Sequence, residues 1–116
     1  MRDLAIQAAG GLAILAAVIH GVLGETKVFA RARIEPARTR LLIRLVWQIG
    51  TAAWIGFGVL LIAVPSMASE PARLWIVWVA VVVYGLAAVG NAWATRGRHF
   101  GWMVLTAVSV LALVGA

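Results

Sequence analysis

Residues Glu25 to Arg44 read ETKVFARARIEPARTRLLIR. This stretch holds Lys27, Arg31, Arg33, Arg38, Arg40 and Arg44, six of the ten basic residues in the chain, against only Glu25 and Glu35. Leu4–Leu23 and Leu45–Val64, the runs that flank it, contain no Asp, Glu, Lys or Arg. Leu74–Trp93 and Phe100–Ala116 are equally free of charge. A twenty-residue helix rises about 30 Å, the thickness of a bilayer's hydrocarbon core. The pattern predicts an all-α integral membrane protein, an antiparallel bundle of four transmembrane helices in one domain, with Glu25 to Arg44 as a basic connector.

Composition agrees. The 116 residues are 64% hydrophobic and 12% charged, about half the charged share of a soluble domain. The charges are clustered rather than recurring once per turn, as the wet face of a soluble bundle requires. Leu4 to Leu23 has the outline of a signal peptide, with Arg2 ahead of it and Val28-Phe29-Ala30 behind. Its apolar core is too long for that role, so it reads as the first span. The β-branched centre of the third run, Ile76 to Val83, would pass for a strand in water. In lipid the backbone must satisfy itself, which makes it helix.

Small residues recur along one side of the first span at Ala9, Ala13 and Ala17, followed by His20 and Gly24. Such a stripe allows close helix contact, so this face should turn toward a neighbour. Glu25 to Ile34 can continue as helix until Pro36, which lacks an N–H and restrains Glu35. A new helix is expected near Ala37. Trp47 reads as an interfacial anchor, and Trp54 as an indole packed between helices. Pro65 to Pro71 reads as a tight turn, with Ser69 as N-cap and Pro71 in the first turn of the next helix.

With four spans, the first and third connections share a side. That side carries Lys27, Arg31, Arg33, Arg38, Arg40, Arg44, Arg96 and Arg98, against Arg2 and Arg73 opposite. The excess of Lys and Arg in cytosolic loops then puts both termini outside the cytoplasm. The location expected is the cell membrane, as a multi-pass protein of a bacterial inner membrane.

The uncommon polar groups collect at the basic end. His20, Glu25, Arg44, Gln48 and Asn91 are the ligand-binding candidates, with His20 and Gln48 as the floor of a cytoplasm-facing pocket and Glu25 and Arg44 at its mouth. Polar side chains inside a span pair with each other or line a wet cavity. The competing reading makes His20 an interhelical hydrogen-bonding residue and Glu25 and Arg44 a steadying pair. Arg31, Arg33, Arg38 and Arg40 are expected to meet anionic lipid head groups.

No cofactor or metal is called for. The chain has no Cys, and His20 and Glu25, five residues apart, point about 140° apart around a helix. An axial pair of His20 and His99 for a haem is set aside because His99 falls at the expected water surface. Nucleic acid is excluded as a partner, since Phe29 is the sole aromatic among the arginines.

These residues point first to a small protein that binds or transports a ligand, ion or lipid, working as a homo-oligomer or within a larger membrane complex. The second reading is a non-catalytic accessory protein docking a partner or anionic lipid through its basic loop. The third is an enzyme acting on a lipid phosphate, with Glu25 or His20 as base; non-enzymatic roles are favoured. In layout alone, four spans in a short chain, the protein resembles the small multidrug-resistance transporters. Their defining glutamate deep in the first span has no counterpart, because Gly11 to Ala17 contains no acid. That family's proton-coupled mechanism is therefore not carried over.

Orientation is open to a direct check. Of two cysteines introduced singly at Ser69 and Thr95, an impermeant thiol reagent added outside cells should modify the one at Ser69. Modification at Thr95 instead would invert the topology.

Overall fold

α1 (Arg2–Leu23) opens the chain and passes into a π-helical turn, Gly24–Val28, and a last helical turn, α2 (Phe29–Arg31). The computed structural model describes residues 1–116. After Pro36 come α3 (Ala37–Ala63), a 3₁₀ turn at Val64–Ser66, α4 (Glu70–Thr95) and α5 (Gly101–Gly115). The chain is thus all-α. The helical stretches Arg2–Arg31, Ala37–Ser66 and Glu70–Thr95 are long and apolar enough to cross a membrane, and α5 is a shorter apolar helix.

The local signals act as their chemistry requires. Ala32 is extended and Pro36 caps the start of α3, so the first helix stops at Arg31, short of Ile34. The Ser69 side chain accepts from the Ala72 N–H at 3.4 Å, with Pro71 in the first turn of α4. At the other end of α4, Arg96 adopts φ 53° and Gly97 φ 73°. The Gly97 N–H closes back on the Ala92 carbonyl at 2.7 Å. This left-handed cap turns the chain sharply into α5. The helix of α5 starts at Gly101, and its fifteen residues rise only about 22 Å.

α1 is the central helix. It packs along both α3 and α5, and α4 packs on α5, whereas α3 and α4 meet far less extensively. The small stripe faces inward as its spacing requires, with Ala9, Ala13 and Ala17 fully buried. Ile6, Leu61, Val64, Val77, Tyr84 and Val108 fill the space around it. Ile6 and Ala13 sit in this core, so the N-terminal run is part of the bundle. Gly115 lies against Ile6 and the Arg2 carbonyl, and Arg73 reaches Asp3 at 3.6 Å. Both termini and the turn before α4 therefore share one end of the bundle, opposite the basic connector.

The outer surface is apolar. Ile49 is 67% exposed, Leu86 68% and Val89 62%, and α3 buries only Gly58 and Leu61 along its length. Soluble monomers do not leave apolar faces of this extent bare. The longest dimension is 49 Å, enough to cross the hydrocarbon layer and both head-group regions. These features are those of a membrane-spanning helical bundle.

The crossing of α1 and α3 is closest at Gly10 and Gly58. A Cβ on Gly10 would stand 2.5 Å from the Gly58 carbonyl oxygen and 2.7 Å from Ile62 Cγ1. Gly11, one residue on, has open space. Gly10→Ala should destabilise the bundle by about 1–3 kcal/mol, the ordinary cost of overpacking, while Gly11→Ala stays near wild type. Thermal unfolding in detergent measures the difference, and equal midpoints would place the crossing elsewhere.

Candidate functional site

At the basic end, the seam between α1 and α3 is polar. The Arg44 guanidinium grips Glu25 side-on, with Nε donating to Oε1 at 3.0 Å and Nη2 standing 2.6 Å from Oε2. Gln48 Nε2 donates both to Glu25 Oε1 at 2.9 Å and to the Gly21 carbonyl at 3.1 Å. Arg44 and Gln48 are four residues apart and share a face of α3. Hydrogen bonds from Arg44, then from Gln48, hold the Glu25 carboxyl below the usual carboxylate range. The same partner raises Arg44.

His20 lies on a different face. Its neighbours are Trp47, Thr51 and Trp54, which recur at steps of four and three on α3. Trp47 stacks on the imidazole with ring centroids 4.2 Å apart and planes 5° from parallel. Trp54 packs against the imidazole at 4.6 Å, tilted by 42°. Thr51 Oγ1 donates to the Trp47 carbonyl at 3.3 Å, as helical threonines do to the preceding turn. Oγ1 also hydrogen-bonds with His20 Nδ1, 2.8 Å away. His20 Nε2 has no partner in the chain.

The Trp47 indole N–H donates to the His20 carbonyl at 2.9 Å. It can do so because Gly24 has no side chain: a Cβ there would collide with the indole. Phe29 is buried edge-on against Trp47 at 5.7 Å. The Phe29 carbonyl accepts from Arg40 Nη2, which ties the connector down over this cluster.

Between α3 on one side and the end of α4 with the start of α5 on the other lies a cavity of about 490 Å³, backed by α1. Its volume falls within the range of small-molecule sites, roughly 300–1,000 Å³. α1 and the turns after it supply His20, Leu23, Lys27 and Val28; α3 supplies Trp47 and Trp54. Asn91 and Thr95 close it from α4, and His99, Phe100 and Val104 from the α5 side. Tyr84 holds α4 to α3 just above, its hydroxyl donating to the Trp54 carbonyl at 2.6 Å. His99 Nδ1 accepts from the Gly101 N–H at 3.0 Å, and the His99 ring stacks on Phe100. The Asn91 side-chain oxygen is buried and has no hydrogen-bond partner.

The five ligand-binding candidates therefore divide. His20 and Asn91 line the cavity. Glu25, Arg44 and Gln48 come together outside it, in the α1–α3 seam, so Gln48 is not part of the floor. Glu25 is committed to Arg44 and Gln48, which removes it from service as a base. Of the head-group candidates, Arg31, Arg33 and Arg38 are exposed, whereas Arg40 is engaged with Phe29. His99, expected at the water surface, is half-buried in the cavity wall. Trp47 belongs to the His20 cluster rather than serving only as an anchor. Its four-and-three spacing with Thr51 and Trp54 is the sequence signal that marks this face.

No protein-family model, curated protein or solved structure matches the chain. The layout shared with small multidrug-resistance transporters thus carries no fold assignment.

The Glu25 clasp has a defined pH dependence. A carboxyl whose pKa is lowered on folding adds stability that is complete above its unfolded value, near 4.5, and lost as pH falls through the lower folded value. Glu25→Gln should thus lower the melting temperature at neutral pH, and the gap to wild type should close only below pH 4.5. A gap that is constant down to strongly acid pH would mean the carboxylate charge contributes nothing.

Proposed function

We propose that this protein is a four-span membrane protein that binds a small, largely apolar molecule in the cavity at its cytoplasmic end. The observation that carries this reading is the cavity of about 490 Å³, walled by aromatic rings and lined also by His20 and Asn91. Binding sites of small molecules share this build, a mostly apolar wall with a few placed polar groups.

The rest of the molecule fits this role. Arg31, Arg33 and Arg38 lie exposed beside the cavity end and would rest on the anionic inner leaflet of a bacterial membrane. This fixes the depth of the cavity mouth. α3, with so little of its length buried, is the helix through which a second copy would pack. An accessory role through the basic loop is the second reading, and the exposure of those three arginines is what favours it.

Purified protein in lipid nanodiscs should take up radiolabelled 4-butylanisole or 4-butylphenol saturably, beyond the uptake of empty nanodiscs. Thr95→Phe, which fills the lumen, should lower the affinity by about tenfold. Equal uptake with and without protein for both compounds would remove the ligand-binding reading.

A further inference from the structure

Which molecules the cavity selects follows from the polar atoms that its wall leaves unpaired. His20 stacks on Trp47 at 4.2 Å and packs against the tilted Trp54 ring at 4.6 Å. This leaves the ring edge as the part open to a ligand. Nδ1 is occupied by Thr51 at 2.8 Å, so the free edge position is Nε2; with the Thr51 hydroxyl proton on the Trp47 carbonyl, Nδ1 is the donor and Nε2 the lone-pair nitrogen. Asn91 also lines the cavity, but its side-chain oxygen is itself buried away from the lumen. A lone pair presented to the lumen favours a molecule that brings a donor over one that lacks it.

Charge narrows the class further. No Asp or Glu lines the cavity, and Lys27 does. The nearest acid in sequence, Glu25, is bound to Arg44 and Gln48. A cationic amine would find no counter-charge and would face Lys27. An anion would set its oxygens against the Nε2 lone pair. A neutral hydroxyl meets both conditions. Trp54 and Phe100 in the wall favour a flat ring as its carrier, through offset or edge-to-face contact.

We propose that the cavity binds a neutral aromatic alcohol, of the phenol or hydroquinone class, with its hydroxyl donating to His20 Nε2. This rests on the ligand-binding reading above. Such a group arrives either as a free phenol from the cytosol or as the head of a prenylated hydroquinone from the bilayer. The hydrogen-bonding chemistry is the same for both.

Comparing 4-butylphenol with its methyl ether, 4-butylanisole, in the nanodisc assay separates this inference from the one it rests on. With affinities referred to concentration in the bilayer, the phenol should bind about tenfold more tightly, the worth of a well-placed hydrogen bond to a buried acceptor. Equal affinities for the two would overturn the aromatic-alcohol assignment and leave ligand binding standing; no binding of either would end both. His20→Phe retains a ring beside the tryptophans and should bring the preference close to one, and a preference that survives His20→Phe would refute the acceptor role. Nitrogen NMR of the wild-type imidazole gives a readout that does not depend on a variant folding. Nε2 should be unprotonated and shift with the phenol but not with the ether, and a protonated Nε2 in the free protein would overturn the proposal. Competition by a prenylated hydroquinone would identify the bilayer as the source, and its failure where the short phenol binds would identify the cytosol.

Discussion

α1 and α3 come together so closely at Gly10 and Gly58 that neither position has room for a methyl group without displacement. The rest of the bundle is arranged around that crossing. In lipid, apolar side chains gain nothing by leaving one hydrocarbon surface for another, so helices associate through close van der Waals contact and interhelical hydrogen bonds. α1 supplies the first by presenting Ala9, Ala13 and Ala17 on one side. It supplies the second at its basic end, where Gly21 and Glu25 meet Gln48 and Arg44.

A tight seam on one side of α1 has a consequence on the other. α3 is drawn to α1 along its length, while α4 is held to α5 through contacts such as Ser109 with the Val81 carbonyl. Tyr84 joins the two pairs at Trp54. Toward the basic end nothing comparable bridges α3 and α4, and the space between them is the cavity. The π-helical turn at Gly24–Val28 contributes to the same result. Its wider winding shifts the register of the residues after it, sending Glu25 into the α3 seam while Lys27 and Val28 reach the cavity wall. Gly24 admits the Trp47 indole at the point where the winding changes, and that indole positions His20.

Several features of this arrangement could be read directly from residues. The small stripe on α1 was visible because its spacing matches a helical turn, and its burial needs no knowledge of the partner. The break at Pro36, the Ser69 cap and the position of Pro71 are local backbone chemistry. Arg44 and Gln48 were recognisable as one face because they are four residues apart. Their separation from His20 was not. A rotation of one residue, about 100°, distinguishes the face bearing Gln48 from the face bearing Trp47, and only the packed helix says which of these α1 sees at each level. His99 was hidden for a different reason. The left-handed cap at Arg96 and Gly97 turns it inward, and a loop histidine beside arginines carries no local sign of that.

Hydropathy and charge are sums over neighbouring residues, so the chain by itself determined that it is helical and apolar enough for a membrane, with a basic connector at one end. The same local chemistry set where the helices begin and stop. Membership of a site is not a local sum. The cavity draws its walls from α1, α3, α4 and the start of α5, and only the tertiary structure decided that His20 and Asn91 share it while Glu25, Arg44 and Gln48 do not. The physical reason is that helix rotation and the extra residue in the π turn set the direction of each side chain, and packing against distant parts of the chain settles both.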